Sequence, residues 1–126
     1  LFRSLYEYAV IRLVPRVERE EFFNVGIILF SKRAKYIKAL YKVDEDKLNL
    51  FSSELDRESL FANLHVFDKI CSGTKEGGPI AALDIPERFR WLTAVRSASI
   101  QTSRPHPGFS DDLDRTLEIL FRELVL

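Results

Sequence analysis

The chain has 126 residues, 46% of them hydrophobic, with 19 Lys plus Arg against 19 Asp plus Glu. That size suits one domain, residues 1–126, and zero net charge argues against a surface of one sign built for nucleic acid or an anionic membrane. A single cysteine, Cys71, excludes an intrachain disulfide and a cysteine-based zinc site, and the longest apolar run, Val25–Phe30, falls far short of the roughly 20 residues of a membrane helix.

Leu5–Val14 reads as a strand because Tyr6, Tyr8, Val10, Ile11, Leu13 and Val14 are strand formers, with Pro15 closing it. A charged connector runs from Arg16 to Glu21. Phe22–Phe30 is a second strand, with Phe23, Val25, Ile27 and Leu29 on a core face and Phe22, Asn24, Gly26, Ile28 and Phe30 on the other. Gly26 marks a bulge or a close approach of another backbone. After the turn Ser31-Lys32-Arg33, Ala34–Val43 is a third strand. It carries Ile37, Ala39, Tyr41 and Val43 on one side and Tyr36, Lys38, Leu40 and Lys42 on the other. Short connections make an antiparallel meander the economical arrangement.

Helices follow. The acids of Asp44-Glu45-Asp46 suit a short helix start. Over Asp56–Cys71, Leu60, Leu64, Phe67 and Cys71 recur at steps of four and three, and Gly73 ends the helix. Ser72–Pro79 reads as a loop. Asp84-Ile85-Pro86-Glu87 resembles a capping box with proline in the first turn, opening a helix through Phe89 and Leu92. Ser97–Ser103 looks extended. Arg104–Gly108 reads as a loop because of Pro105 and Pro107. Ser110 or Asp111 caps a last amphipathic helix through Leu113, Leu117, Leu120, Phe121 and Leu124. The expected fold is α+β: an antiparallel sheet of three to four strands, the fourth near 97–103, covered by three or four helices.

Two stretches carry a family resemblance. One is Tyr6-Glu7-Tyr8-Ala9-Val10-Ile11-Arg12 with Glu20-Glu21-Phe22-Phe23-Asn24-Val25-Gly26-Ile27-Ile28-Leu29-Phe30. The other is Arg88–Ser97, then Ile100-Gln101-Thr102-Ser103, His106 and Gly108. Together they resemble the bacterial family called domain of unknown function 3037, nearly end to end. Val95 stands where the resemblance leads us to expect proline. The resemblance implies small cytoplasmic proteins and an association with genes for HipA-like Ser/Thr kinases of the toxin–antitoxin type. It implies no reaction.

The segment Arg96–His106 holds the densest polar chemistry. If Ser97–Ser103 is a strand, Ser97, Ser99, Gln101 and Ser103 share a face beside Arg96 and Arg104. Hydroxyls, an amide and guanidinium groups suit an oxyanion or a polar partner. The plainer alternative is a solvated edge strand. His106, between two prolines, is a candidate acid, base or anion donor, or a plain loop histidine. Arg12 and Asn24 on the first two strands complete the expected site. Asn24 has a structural alternative, holding a neighbouring loop, and Arg12 has another, pairing with Glu21.

Lys32, Lys35, Lys38 and Lys42 interleave with Tyr36 in a run without acids. That run suits single-stranded nucleic acid or, more plainly, a lysine-protected sheet face. Residues 1–50 carry ten basic and seven acidic residues, and the remainder nine and twelve, so neutrality hides a charge of +3 against −3. Gly73–Gly78 lacks the order of a phosphate-binding loop, and no metal-ligand spacing or catalytic motif is present. The expectation is therefore an accessory or protein-interaction module without cofactor or metal, with a HipA-like kinase as the implied partner. The alternative is an enzyme or sensor acting on a phosphorylated small molecule or nucleic-acid end. No signal peptide is visible, so a cytoplasmic location is the default.

Overall fold

A computed structural model describes residues 3–16, 21–50, 57–94 and 99–126. Three long strands open the chain: β1 (Ser4–Arg16), β2 (Glu21–Ser31) and β3 (Tyr36–Tyr41). Four helical segments follow, α1 (Glu45–Leu50), α2 (Arg57–Ser72), α3 (Gly78–Ala81) and α4 (Ile85–Leu92). Two short strands, β4 (Ile100–Thr102) and β5 (His106–Ser110), precede the last helix, α5 (Leu113–Leu124).

The sheet is antiparallel throughout, in the order β3-β2-β1-β4, and β5 also pairs with β1. β1 is long enough to hold two short strands end to end on one edge. Its first half, Ser4–Tyr8, faces Ser110–His106, and Ile11–Leu13 faces Thr102–Ile100. Among the described residues the expected three to four strands are thus five, within the same α+β class.

Of the three prolines read as breakers, Pro15 and Pro107 lie inside strands, while Pro105 falls between β4 and β5. Pro15 falls inside β1, at its far end, where the register to β2 shifts between Leu13 and Arg16. Pro107 stands opposite Glu7 in β5, an edge strand, where a residue without an N–H is tolerated if that position faces away from the neighbour. Ser72–Pro79 is not an irregular loop either. It contains a 3-10 turn over Lys75–Gly77 and the start of α3.

The expected alternation of β2 fails at one residue. Ile11 pairs with Gly26 and Arg12 with Asn24, so Val25 is the extra residue of a bulge. Its carbonyl accepts from the Lys42 N–H at 2.7 Å. The bulge reverses the phase of the strand. Phe23 and Val25 therefore share a core with Ile28 and Phe30, while Ile27 and Leu29 face the other way. Gly26 is required there: a Cβ would lie 2.6 Å from the Leu40 carbonyl oxygen.

Each face of the sheet is covered by helices. On one, Ile11, Leu13, Ile28 and Phe30 pack with Leu48 of α1, Leu60, Leu64, Phe67 and Ile70 of α2, and Phe89 and Leu92 of α4. On the other, Val10, Ile27 and Leu29 pack against Leu117, with Leu113, Leu120 and Phe121 around it. The helix starts behave largely as read: Asp84 accepts from the Glu87 N–H. The cap of α5 is Asp112, and not the expected Ser110 or Asp111; it accepts from the Arg115 N–H at 3.1 Å. Gly73, with φ of +70°, follows the end of α2. There Arg88 Nη1 donates to the Ile70 and Cys71 carbonyls, at 2.9 and 3.2 Å.

Candidate functional site

α5 lies over β2 and β3, and this decides what the rest of that sheet face can do. β1, flanked by β4 and β5, carries Tyr6, Tyr8, Val10 and Arg12 on this side. Registration sets Gly108 opposite Tyr6, His106 opposite Tyr8 and Gln101 opposite Arg12. Asn24 of β2 flanks Arg12 on its other side. Three of the expected site residues, Asn24, Arg12 and Gln101, therefore form a row across three adjacent strands.

The row has particular chemistry. The Arg12 guanidinium carbon lies 4.3 Å from the centroid of the Phe22 ring, which is 51% exposed. This is cation–π geometry. Arg12 Nε is buried and makes no hydrogen bond among the described residues. In the register of β1 against β2, Glu21 stands opposite Arg16. Asn24 Nδ2 donates to the Leu124 carbonyl at 2.9 Å, which ties the last turn of α5 to the sheet. The structural alternative for Asn24 thus accounts for its amide, and the element it holds is α5.

Ser103 is committed to the backbone. It is buried at the junction of β4 and β5. Its Oγ accepts from the Val10 N–H at 2.8 Å and donates to the Arg104 carbonyl at 3.1 Å, while its own N–H donates to the Val10 carbonyl. The side chain closes the ladder where one short strand gives way to the next. It does not line an open polar face with Gln101.

His106 is exposed and stacks on Tyr8, with ring centroids 5.2 Å apart and a tilt of 32°. Its register partner is four residues from Arg12, about 13 Å along an extended strand. The fold puts His106 on the same face as the row but not within reach of it. Arg96 and Ser97 lie outside the described residues.

The basic run is dispersed. Lys32 and Lys35 belong to the β2–β3 turn, where Lys35 adopts a φ of +52°, and Lys42 follows β3. Tyr36 packs beneath α5, and its hydroxyl donates to Asp114 Oδ1 at 2.6 Å. Lys38 approaches the same carboxylate at 3.7 Å. Burial and then this hydrogen bond push the Tyr36 hydroxyl pKa up, and the Tyr36 bond holds the Asp114 carboxyl below its usual range.

One cluster has no sequence signal. The Tyr41 hydroxyl donates to Asp68 Oδ2 at 2.9 Å and lies 2.9 Å from His65 Nδ1. Its pKa is pushed up to about 12, first by burial and then by Asp68, so the hydroxyl keeps its proton at neutral pH. His65 and Asp68 sit three apart on α2, and only the pairing of β3 beside that helix brings Tyr41 to them. Among the described residues no group of three or more His, Cys, Asp or Glu could hold a metal ion, and no helix is long and apolar enough to cross a membrane.

A family model described as "Protein of unknown function (DUF3037)" matches residues 8–125. No curated protein and no solved structure matches the chain.

Proposed function

The chain belongs to the DUF3037 family, and from that premise we propose that it is a binding module that engages a protein partner through the sheet face left open by α5. The observation that carries this reading is the Arg12–Phe22 pair, a guanidinium held over a half-exposed aromatic ring. Aromatic and Arg side chains are enriched at protein interfaces, and a few such residues carry most of the binding energy. The row through Asn24 and Gln101 supplies polar groups around the pair, and the Tyr8–His106 stack extends the surface along β1. The partner we propose is a HipA-like Ser/Thr kinase of a toxin–antitoxin type system, with the protein acting in the cytoplasm. This reading is preferred to an enzyme or sensor for phosphorylated molecules or nucleic-acid ends, because Tyr8 and Val10 separate His106 from Arg12 and Gln101 along β1.

The test is co-expression of the chain with such a kinase, followed by purification and titration of the pair. A complex stable at micromolar concentration is expected, and Arg12→Ala or Phe22→Ala should weaken it by about 2 kcal/mol, the scale of an interface hot spot. Clean separation of the wild-type proteins, or variants that bind as tightly as wild type, would refute the proposal.

A further inference from the structure

A second concave surface lies on the opposite face of the sheet, where α4 covers β2 but leaves the β5 edge open. It is a groove of about 680 Å³, within the size range of small-molecule sites. Its floor is apolar: Phe30 and Phe89 stack there with centroids 4.8 Å apart and an interplanar angle of 23°. Phe109, 67% exposed, stands on its β5 side.

The rim is cationic. Arg3, Lys32, Arg33 and Arg90 line it, against the single carboxylate of Glu7. None of the four basic side chains forms an ion pair among the described residues. Four positive charges gathered around an apolar wall focus a positive potential into the groove, because field lines spread poorly through the low-dielectric side. Guanidinium groups favour oxyanions that accept several hydrogen bonds at once.

We infer that this groove binds a small organic phosphate: an apolar body seated on Phe30 and Phe89, with the phosphate held at the Arg33–Arg90 rim. The site is independent of the Arg12 surface and survives the failure of the protein-partner proposal. Phe30 and Phe89 belong to the core, so they give the floor its rigidity, while the rim residues are exposed and replaceable without disturbing packing.

The experiment titrates the intact chain with 1-naphthyl phosphate, with inorganic phosphate and with 1-naphthol, following backbone amide shifts by NMR. 1-Naphthyl phosphate should bind at least about tenfold more tightly than either fragment, with shifts at residues 30–33, 87–90 and 108–109. The Arg33→Glu, Arg90→Glu double variant should lose about tenfold in affinity with an unchanged circular dichroism spectrum, while Lys47→Ala, on exposed α1 away from the groove, should bind as wild type. If the double variant misfolds, Arg90→Gln alone, on the exposed side of α4, should weaken binding about threefold. The inference is overturned if 1-naphthyl phosphate binds no better than phosphate or 1-naphthol, if the shifts map elsewhere, or if folded rim variants bind as wild type.

Discussion

The Ser103 hydroxyl accepts the Val10 N–H at 2.8 Å, taking the place of a backbone carbonyl at the point where the edge of β1 passes from β4 to β5. Val10 is buried, so this donor has no access to solvent. Ser103→Ala leaves it unpaired and should cost about 1–3 kcal/mol. The neighbouring Thr102 Oγ1 is buried with no hydrogen bond among the described residues. Thr102→Val keeps the shape and removes that polar atom, so it should be neutral or stabilising. Urea denaturation of the two variants checks both signs; equal destabilisation would contradict the assignment.

Two glycines are crowded for different reasons and should respond differently. A Cβ on Gly26 meets the Leu40 carbonyl oxygen at 2.6 Å and Tyr41 Cβ at 2.9 Å, so β2 and β3 must separate to admit it. Gly26→Ala should destabilise by about 1–3 kcal/mol, the cost of overpacking a rigid site. A Cβ on Gly108 meets only the Tyr6 ring among its nearest neighbours. That ring is half-buried and can turn, so Gly108→Ala should cost less and should shift the Tyr6 resonances. Thermal melts and aromatic NMR spectra distinguish the two.

Cys71 should be an unreactive thiol at neutral pH. Burial, then the nearby Asp68 carboxylate, push its pKa up to about 12, and the Arg88 guanidinium opposes them only in part. Alkylation requires the thiolate, so iodoacetamide labelling of the folded chain at pH 7–8 should be far slower than in urea. The sign for stability follows from the raised value. The unfolded thiol ionises near 8.5 and the folded one near 12. The contribution is fully present below the unfolded pKa and is lost as pH rises through this window. Cys71→Ser removes the thiol titration, and its melting temperature should fall less steeply between pH 9 and 12 than that of wild type. Fast labelling of the native protein at pH 7 would show the thiol to be accessible and ionised.

The order and class of most elements were legible in residues alone. Three β-rich segments, two amphipathic helices with recognisable caps and a neutral but unevenly distributed charge follow from local chemistry. Side-chain periodicity and capping act over a few residues and leave their mark in the sequence. Local rules misread Pro15 and Pro107, because tolerance of a missing N–H depends on which way that position faces across the ladder. They also misassigned the core face of β2, because a bulge at Val25 reverses the alternation at a single residue.

The candidate site divides in the same way. That Arg12, Asn24 and Gln101 are polar residues within strands is visible in the sequence; that they form one row depends on the registers of β2 and β4 against β1. The cationic groove was illegible, since its lining comes from four separated segments around residues 3–7, 30–33, 86–90 and 107–109. The opening equality of 19 against 19 charges excludes a molecule coated with one sign, and that exclusion needs no structure. Where the charges gather was decided by the tertiary fold. Chain folding brings Arg3, Lys32, Arg33 and Arg90 around one apolar floor, while Lys38 meets the carboxylate of Asp114 on the other side of the sheet. Electrostatic fields depend on distance in space, and composition records only the sum.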